Sequence, residues 1–254
     1  MKILINNPVS KYSIRIGDTS LILGQRLGEL CGHGPILEED IALTNISLDL
    51  IGQARAFLTY AGEINDVKYN EDNLAFFRND REYTNTLLAE LPNGDFGHTI
   101  IRQLFISAFQ YYFFTALKES SDKTLSALAE KSLKEVSYHL RHASEWTIRL
   151  GDGTDESRKR VLKAVDELWR YSGDLFSMDE IDRDLIAKGI AVDLDSVRKQ
   201  WISKITEVFN EGKIPMPTDN AFITGGIKGI HSEHLGLVLS VMQILPRSMP
   251  DAQW

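Results

Sequence analysis

The chain has 254 residues, enough for a core that buries roughly three quarters of the unfolded surface without disulfide or metal staples. Its net charge of −8, with Lys and Arg spread along helical faces, excludes the clustered basic footprint of nucleic-acid binding; the single cysteine, Cys31, excludes an internal disulfide or a Cys-ligated iron–sulfur cluster. The opening MKILINNPVSKY has no apolar run of secretory length and no window reaches the roughly 18 apolar residues of a membrane span, so a cytoplasmic protein is expected.

Helical periodicity dominates, and the only strand signal is a weak one near Lys11 to Ile16, so the fold class is all-α. Residues 1–16 read as an N-terminal arm. Asp18 is a reasonable N-cap for LILGQRLGEL, and Gly32 and Gly34 mark that helix's far end. Pro35 then opens a second helix, ILEEDIALTNISLDLIGQARAFLTYAG, which is apolar on nearly every side and is expected in a bundle core. A third helix is predicted from about Asp72 to Leu91, with Leu74, Phe77, Arg81, Thr84, Leu88 and Leu91 at helical steps, and the turn Pro92-Asn93-Gly94-Asp95 ends it.

The fourth segment, about Phe96 to Lys118, is apolar or aromatic all round and is the expected centre of the core. A fifth helix runs from about Ser121 to Leu150; Thr154 caps a sixth that buries Val161, Leu162, Val165, Trp169 and Phe176. After an acidic connection from Met178 to Asp182, Asp195 caps a shorter helix, and the loop KIPMPTDNAFITGGIKG leads to a last helix, HSEHLGLVLSVMQIL, closed by Pro246. The expectation is one domain over residues 1–254, a ferritin-like bundle with a C-terminal helical extension from about residue 210.

In the second helix Asn45 and Asp49 stand one turn apart, with Gly52 three residues after Asp49, where a di-iron bundle would place a Glu-x-x-His ligand pair. The fifth helix sets Glu135, His139, His142 and Trp146 on one stripe, yet Tyr138 stands three residues after Glu135, and one residue of offset turns a side chain about 100° around the helix. With Glu29 on the first helix, the metal-ligand candidates are Glu29, Asp49, Glu135 and His139, and the fourth helix from Ile100 to Leu117 adds no Asp or Glu. Such a set is vestigial, or part of a core hydrogen-bond network, so no metal and no catalytic residue is assigned. His231 and His234 around Glu233 form half of a zinc pattern without partners and read as hydrogen-bonding groups, while Thr224-Gly225-Gly226-Ile227-Lys228-Gly229 lacks the strand and ending of a phosphate loop and implies a close backbone approach. Arg78 to Asn85 is a dense polar block, read as a solvated face with internal ion pairs or as the rim of a ligand channel or subunit junction.

With these residues in view, the chain resembles the C-type subunits of phenylacetyl-CoA epoxidase, a bacterial multicomponent monooxygenase of phenylacetate degradation. The likeness runs from about Ser13 to Trp254 and rests on IRIGDTSLILGQRLGELCGHGP, DIALTNISLDLIGQAR, the Asp80-Arg81-Glu82 region, KEVSYHLRH, DELWRYSGDLF with EID after it, and GGIKGIHSEHLG with a terminal tryptophan. It departs in details such as Ala108 and Gln110, to which no ligand role transfers. The resemblance implies a structural subunit pairing with a homologous di-iron A subunit, which inserts one oxygen atom of dioxygen into the ring of phenylacetyl-CoA. It also implies a separate NADPH-dependent reductase with FAD and an iron–sulfur centre, and a small assembly subunit. Two other readings remain open at this stage: a divergent di-iron oxygenase using Glu29, Asp49, Glu135 and His139, and an acyl-CoA-binding bundle. Glu82, Tyr83, Thr84 and Asn85 are the candidate substrate contacts, on polarity alone. The long apolar helices predict a hydrophobic heteromeric interface and self-association of the isolated chain.

Overall fold

A computed structural model describes residues 3–250 and residue 252; the terminal Trp254 lies outside them. The all-α class holds: the described residues form helices and no strand, consistent with a ferritin-like helical bundle. None of these helices is long and apolar enough to cross a membrane. The helices gather into two compact units, one made of the chain up to Pro92 and from Gly225 onward, the other of Asn93–Thr224.

In the first unit, α1 (Pro8–Gly28) packs along α2 (Leu37–Ile64). The helix starts ten residues before Asp18, because Asn7 caps it through Val9 N (2.9 Å) and Ser10 N (3.2 Å), with Pro8 at the first helical position. Residues 8–16 are therefore helix rather than arm or strand, and Asp18 is a buried mid-helix carboxylate rather than a cap. The small residues Ser10, Ser13, Gly17 and Gly24 recur at helical steps and form the face against α2. Ser10 donates to Ala61 O (2.7 Å), Ser13 to Phe57 O (2.8 Å), and from α2 Ser47 donates to Gly24 O (2.7 Å). The approach is close: a Cβ at Gly17 would meet Leu58 Cγ at 2.9 Å.

The second helix is not buried on every side. Leu43, Ile46, Leu50, Phe57 and Leu58 are buried, but Leu37 (70% exposed), Ile41, Asn45, Leu48 (61%) and Gly52 share an outward face, and Asp49 is half-buried. Apolar composition all round concealed which face the fold would cover.

The single helix expected from Asp72 to Leu91 is broken into α3 (Glu71–Phe76), a 3₁₀ turn (Asp80–Glu82) and α4 (Leu87–Glu90). Side chains take over the backbone groups that a longer helix would pair: Asn70 and Asn73 form a reciprocal cap at the start of α3, and the Glu82 carboxylate accepts from Asn79 N at 2.8 Å.

The second unit holds α5 (Phe96–Leu117), capped by Asp95, α6 (Lys123–Gly151), capped by Asp122, and α7 (Asp155–Trp169), capped by Thr154. Its core is aromatic: Phe105 meets Trp169 and Trp201 at ring-centroid distances of 5.8 and 5.6 Å, and Trp201 Nε1 donates to Phe105 O at 2.8 Å. The acidic connection is the start of a helix of its own, α8 (Glu180–Ala187), whose reciprocal cap joins Asp179 and Asp182. Asp193, not Asp195, caps α9 (Leu194–Glu211).

After Gly225 the chain belongs to the first unit again, as α10 (Glu233–Met242) and α11 (Ile244–Ser248). Pro246 lies inside the first turn of α11 instead of closing the preceding helix, a place where a missing backbone N–H removes no intrahelical bond.

Candidate functional site

Two buried polar constellations stand out, one in each unit. In the first unit, Asp18 is wholly buried and its carboxylate takes both terminal nitrogens of Arg78 in a two-pronged ion pair, with Arg78 Nη1 to Asp18 Oδ2 at 2.9 Å. The same oxygen accepts from Thr84 N (2.9 Å) and Thr84 Oγ1 (3.1 Å). Arg78 lies over the Tyr83 ring, 4.3 Å from its centroid. Burial pushes the Tyr83 hydroxyl well above its ordinary value, so it stays protonated and donates to Ala75 O.

Glu90, at the end of α4, is the second buried carboxylate. Oε1 accepts from Ser232 N (2.6 Å) and Ser232 Oγ (2.8 Å), and Oε2 faces Asn85 Nδ2 and His231 Nδ1, each at 2.8 Å. The other ring nitrogen of His231 faces Tyr83 O at 2.9 Å. Both neighbours are acceptors, so both bonds form together only in the imidazolium. Burial disfavours that charge, but the Glu90 carboxylate and the Tyr83 carbonyl outweigh it and raise the His231 pKa above its ordinary value. Arg26 completes the cluster, donating to Glu90 O (2.9 Å) and His234 O (3.2 Å) and pairing with Glu29 (3.0 Å).

This network corrects the solvated-face reading for Arg78, Tyr83 and Asn85, which are buried, while Asp80 and Arg81 stay exposed. Of the four candidate substrate contacts, Tyr83 and Asn85 are buried in protein bonds, Thr84 holds Asp18, and Glu82 caps Asn79. His231 spends both ring nitrogens on protein acceptors, as the hydrogen-bonding reading expected. The glycines do mark a close approach: Gly229 has φ of +67°, and a Cβ there would overlap the Arg81 carbonyl. Glu90 carries no signal in the sequence, since Leu87-Leu88-Ala89-Glu90 reads as ordinary helix.

In the second unit, α6 presents Ser132, Glu135, His139, His142 and Trp146 on one stripe; His139 is wholly buried and Glu135 half-buried. The Trp146 ring meets Phe96 of α5 edge-on at 5.1 Å, which identifies the facing stripe of α5. Seven, eleven and fourteen residues after Phe96 come Gln103, Ser107 and Gln110, all within about 40° of it around the helix. In a di-iron bundle that stripe would carry a carboxylate. Here it carries two amides and a hydroxyl, with Gln103 Nε2 donating to Ser107 Oγ at 2.8 Å. These three residues recur at steps of four and three, a signal legible in the sequence but masked by the surrounding aromatics.

The donor set does not fit a di-iron centre. In the first unit Glu29 is exposed and held by Arg26, and Asp49 has the exposed Gly52 in the ligand position after it. In the second, Tyr138 stands exposed where a histidine would follow Glu135. Among the described residues, no three His, Cys, Asp or Glu side chains gather closely enough to hold a metal ion.

An all-α protein consistent with a ferritin-like helical bundle is the class these features define. A family model described as phenylacetic acid catabolic protein matches residues 2–254, and the chain belongs to that family. The chain is similar to the C subunit of the 1,2-phenylacetyl-CoA epoxidase of Escherichia coli (strain K12), at 48% identity over 248 residues, covering 98% of this chain and 100% of that protein.

Proposed function

We propose that the chain is a structural, non-catalytic subunit of the multicomponent oxygenase that epoxidises the aromatic ring of phenylacetyl-CoA, acting in the cytoplasm. It pairs with a homologous A subunit that holds the di-iron centre, while a separate reductase with FAD, an iron–sulfur centre and NADPH supplies electrons and a small further subunit assists assembly. The observation that carries the non-catalytic role is the α5 stripe of Gln103, Ser107 and Gln110, neutral groups where an iron ligand would be a carboxylate. The similarity to the C subunit of an epoxidase supports the pathway.

Assembly is supported by the surface of the first unit. Leu37, Ile41 and Leu48 on α2, and Leu237, Val241 (77% exposed) and Ile244 on α10 and α11, are large apolar side chains left in water. Faces of this kind mark protein interfaces. In isolation the same faces drive self-association.

Co-expression with an A-type subunit tests the proposal. The expected result is a stable complex that turns over phenylacetyl-CoA when given the reductase, with no turnover by this chain alone. Turnover by the chain unaccompanied, or its failure to associate with the A subunit, overturns it.

A further inference from the structure

The seam between α5 and α6 holds more hydrogen-bonding capacity than its own side chains use. Gln103 and Gln110 are buried, 0% and 3% exposed, and the Oε1 atom of each meets no donor. Turning the Gln103 amide over would set its oxygen against the Ser107 hydroxyl and strip the NH₂ instead, so one end of that amide needs a further partner in either orientation. Buried amide groups in folded proteins are paired with protein or with ordered water, because an unpaired one forfeits the bonds it made in the unfolded chain.

We propose that this seam is a solvent site, with an ordered water molecule hydrogen-bonded to the side-chain oxygen of Gln103 and another to that of Gln110. The register of the two helices supplies what such waters need. Phe96 against Trp146 at one end, and Ser126 Oγ donating to Lys118 O at the other, place His139 level with Gln103 and Ser132 level with Gln110. Each water then lies near two or more polar groups: Gln103, Ser107 and His139 at one position, Gln110 and Ser132 two turns along. An internal water is retained only where several such partners converge. The ligand must bring O–H donors to neutral acceptors between two helices whose neighbouring Leu104, Ile106, Phe114, Val136 and Leu140 are buried, and water does this without carrying a charge into the interior.

Crystal structures of the full chain and of two variants at a resolution that shows ordered solvent test the proposal. In the parent, an oxygen within hydrogen-bonding distance is expected at each glutamine side chain. In Gln103→Leu the first disappears while the second stays, and in Gln110→Leu the reverse occurs; if one variant fails to fold, the other gives the same reading at its own position. A seam with no solvent density at either glutamine overturns the proposal. Density with the short, multiple oxygen contacts of a bound cation, or waters that survive loss of the adjacent glutamine, also overturns it.

Discussion

The polar constellation at the centre of each unit is built differently. The first buries charge: Asp18 and Glu90 each sit in a cage of protein donors that includes a cationic or protonated side chain. The second also buries Arg102, Asp174 and Asp182, but the stripe that α5 turns toward α6 is neutral: Gln103, Ser107 and Gln110. Their surfaces differ as well. Leu37, Leu48, Leu237 and Val241 stand exposed in the first unit, whereas Tyr138, Ile202 and Ile223 are the large apolar side chains that the second leaves exposed among the described residues. Cages of this kind hold short segments rigidly in place, and the first unit uses them to fix the polar block from Arg78 to Glu90 and the C-terminal helices beside apolar surface.

Three measurements break or sharpen this contrast. Arg78→Ala leaves Asp18 charged and uncompensated in the interior, and is expected to cost about 3 to 5 kcal/mol in urea unfolding. A loss below about 1 kcal/mol would show that the pair is not what holds the block.

His231→Leu removes one donor from Glu90 and is expected to cost about 1 to 3 kcal/mol. The raised pKa fixes the sign of its pH dependence. The imidazolium pair contributes fully below the unfolded histidine value of about 6.5 and is lost as pH rises through the folded one, so the gap between parent and variant should be wide at acid pH and shrink in alkali. A gap that widened with pH would mean the ring is neutral in the folded state.

Leu48→Ser combined with Val241→Ser changes two exposed residues and should shift the stability of the isolated chain by no more than about 0.5 kcal/mol per site. The same pair should weaken association with the A subunit severalfold in a binding titration. Unchanged association would locate the interface elsewhere.

Much of this architecture was legible from local pattern. Helices α5, α6 and α7 carry long apolar periodicity behind Asp95, Asp122 and Thr154, which declare their starts within a few residues. The start of α1 was also legible in Asn7-Pro8, a cap followed by a first-turn proline, but Asp18 looked like a cap because its partner Arg78 lies 60 residues away. Long-range partners likewise made Glu90 a hub for Ser232 and His231, more than 140 residues on. No local pattern records such pairings. The stripe of Glu135, His139 and His142 stands out in the sequence of α6, whereas its counterpart on α5 is masked, since amides among aromatics carry no obvious chemistry.

The most direct measurement is the iron content of the full chain after anaerobic incubation with excess ferrous ion and removal of the unbound metal. A structural subunit retains well below one iron per chain, and Glu135→Ala leaves that figure unchanged. Two tightly held irons per chain, lost in Glu135→Ala, would contradict it.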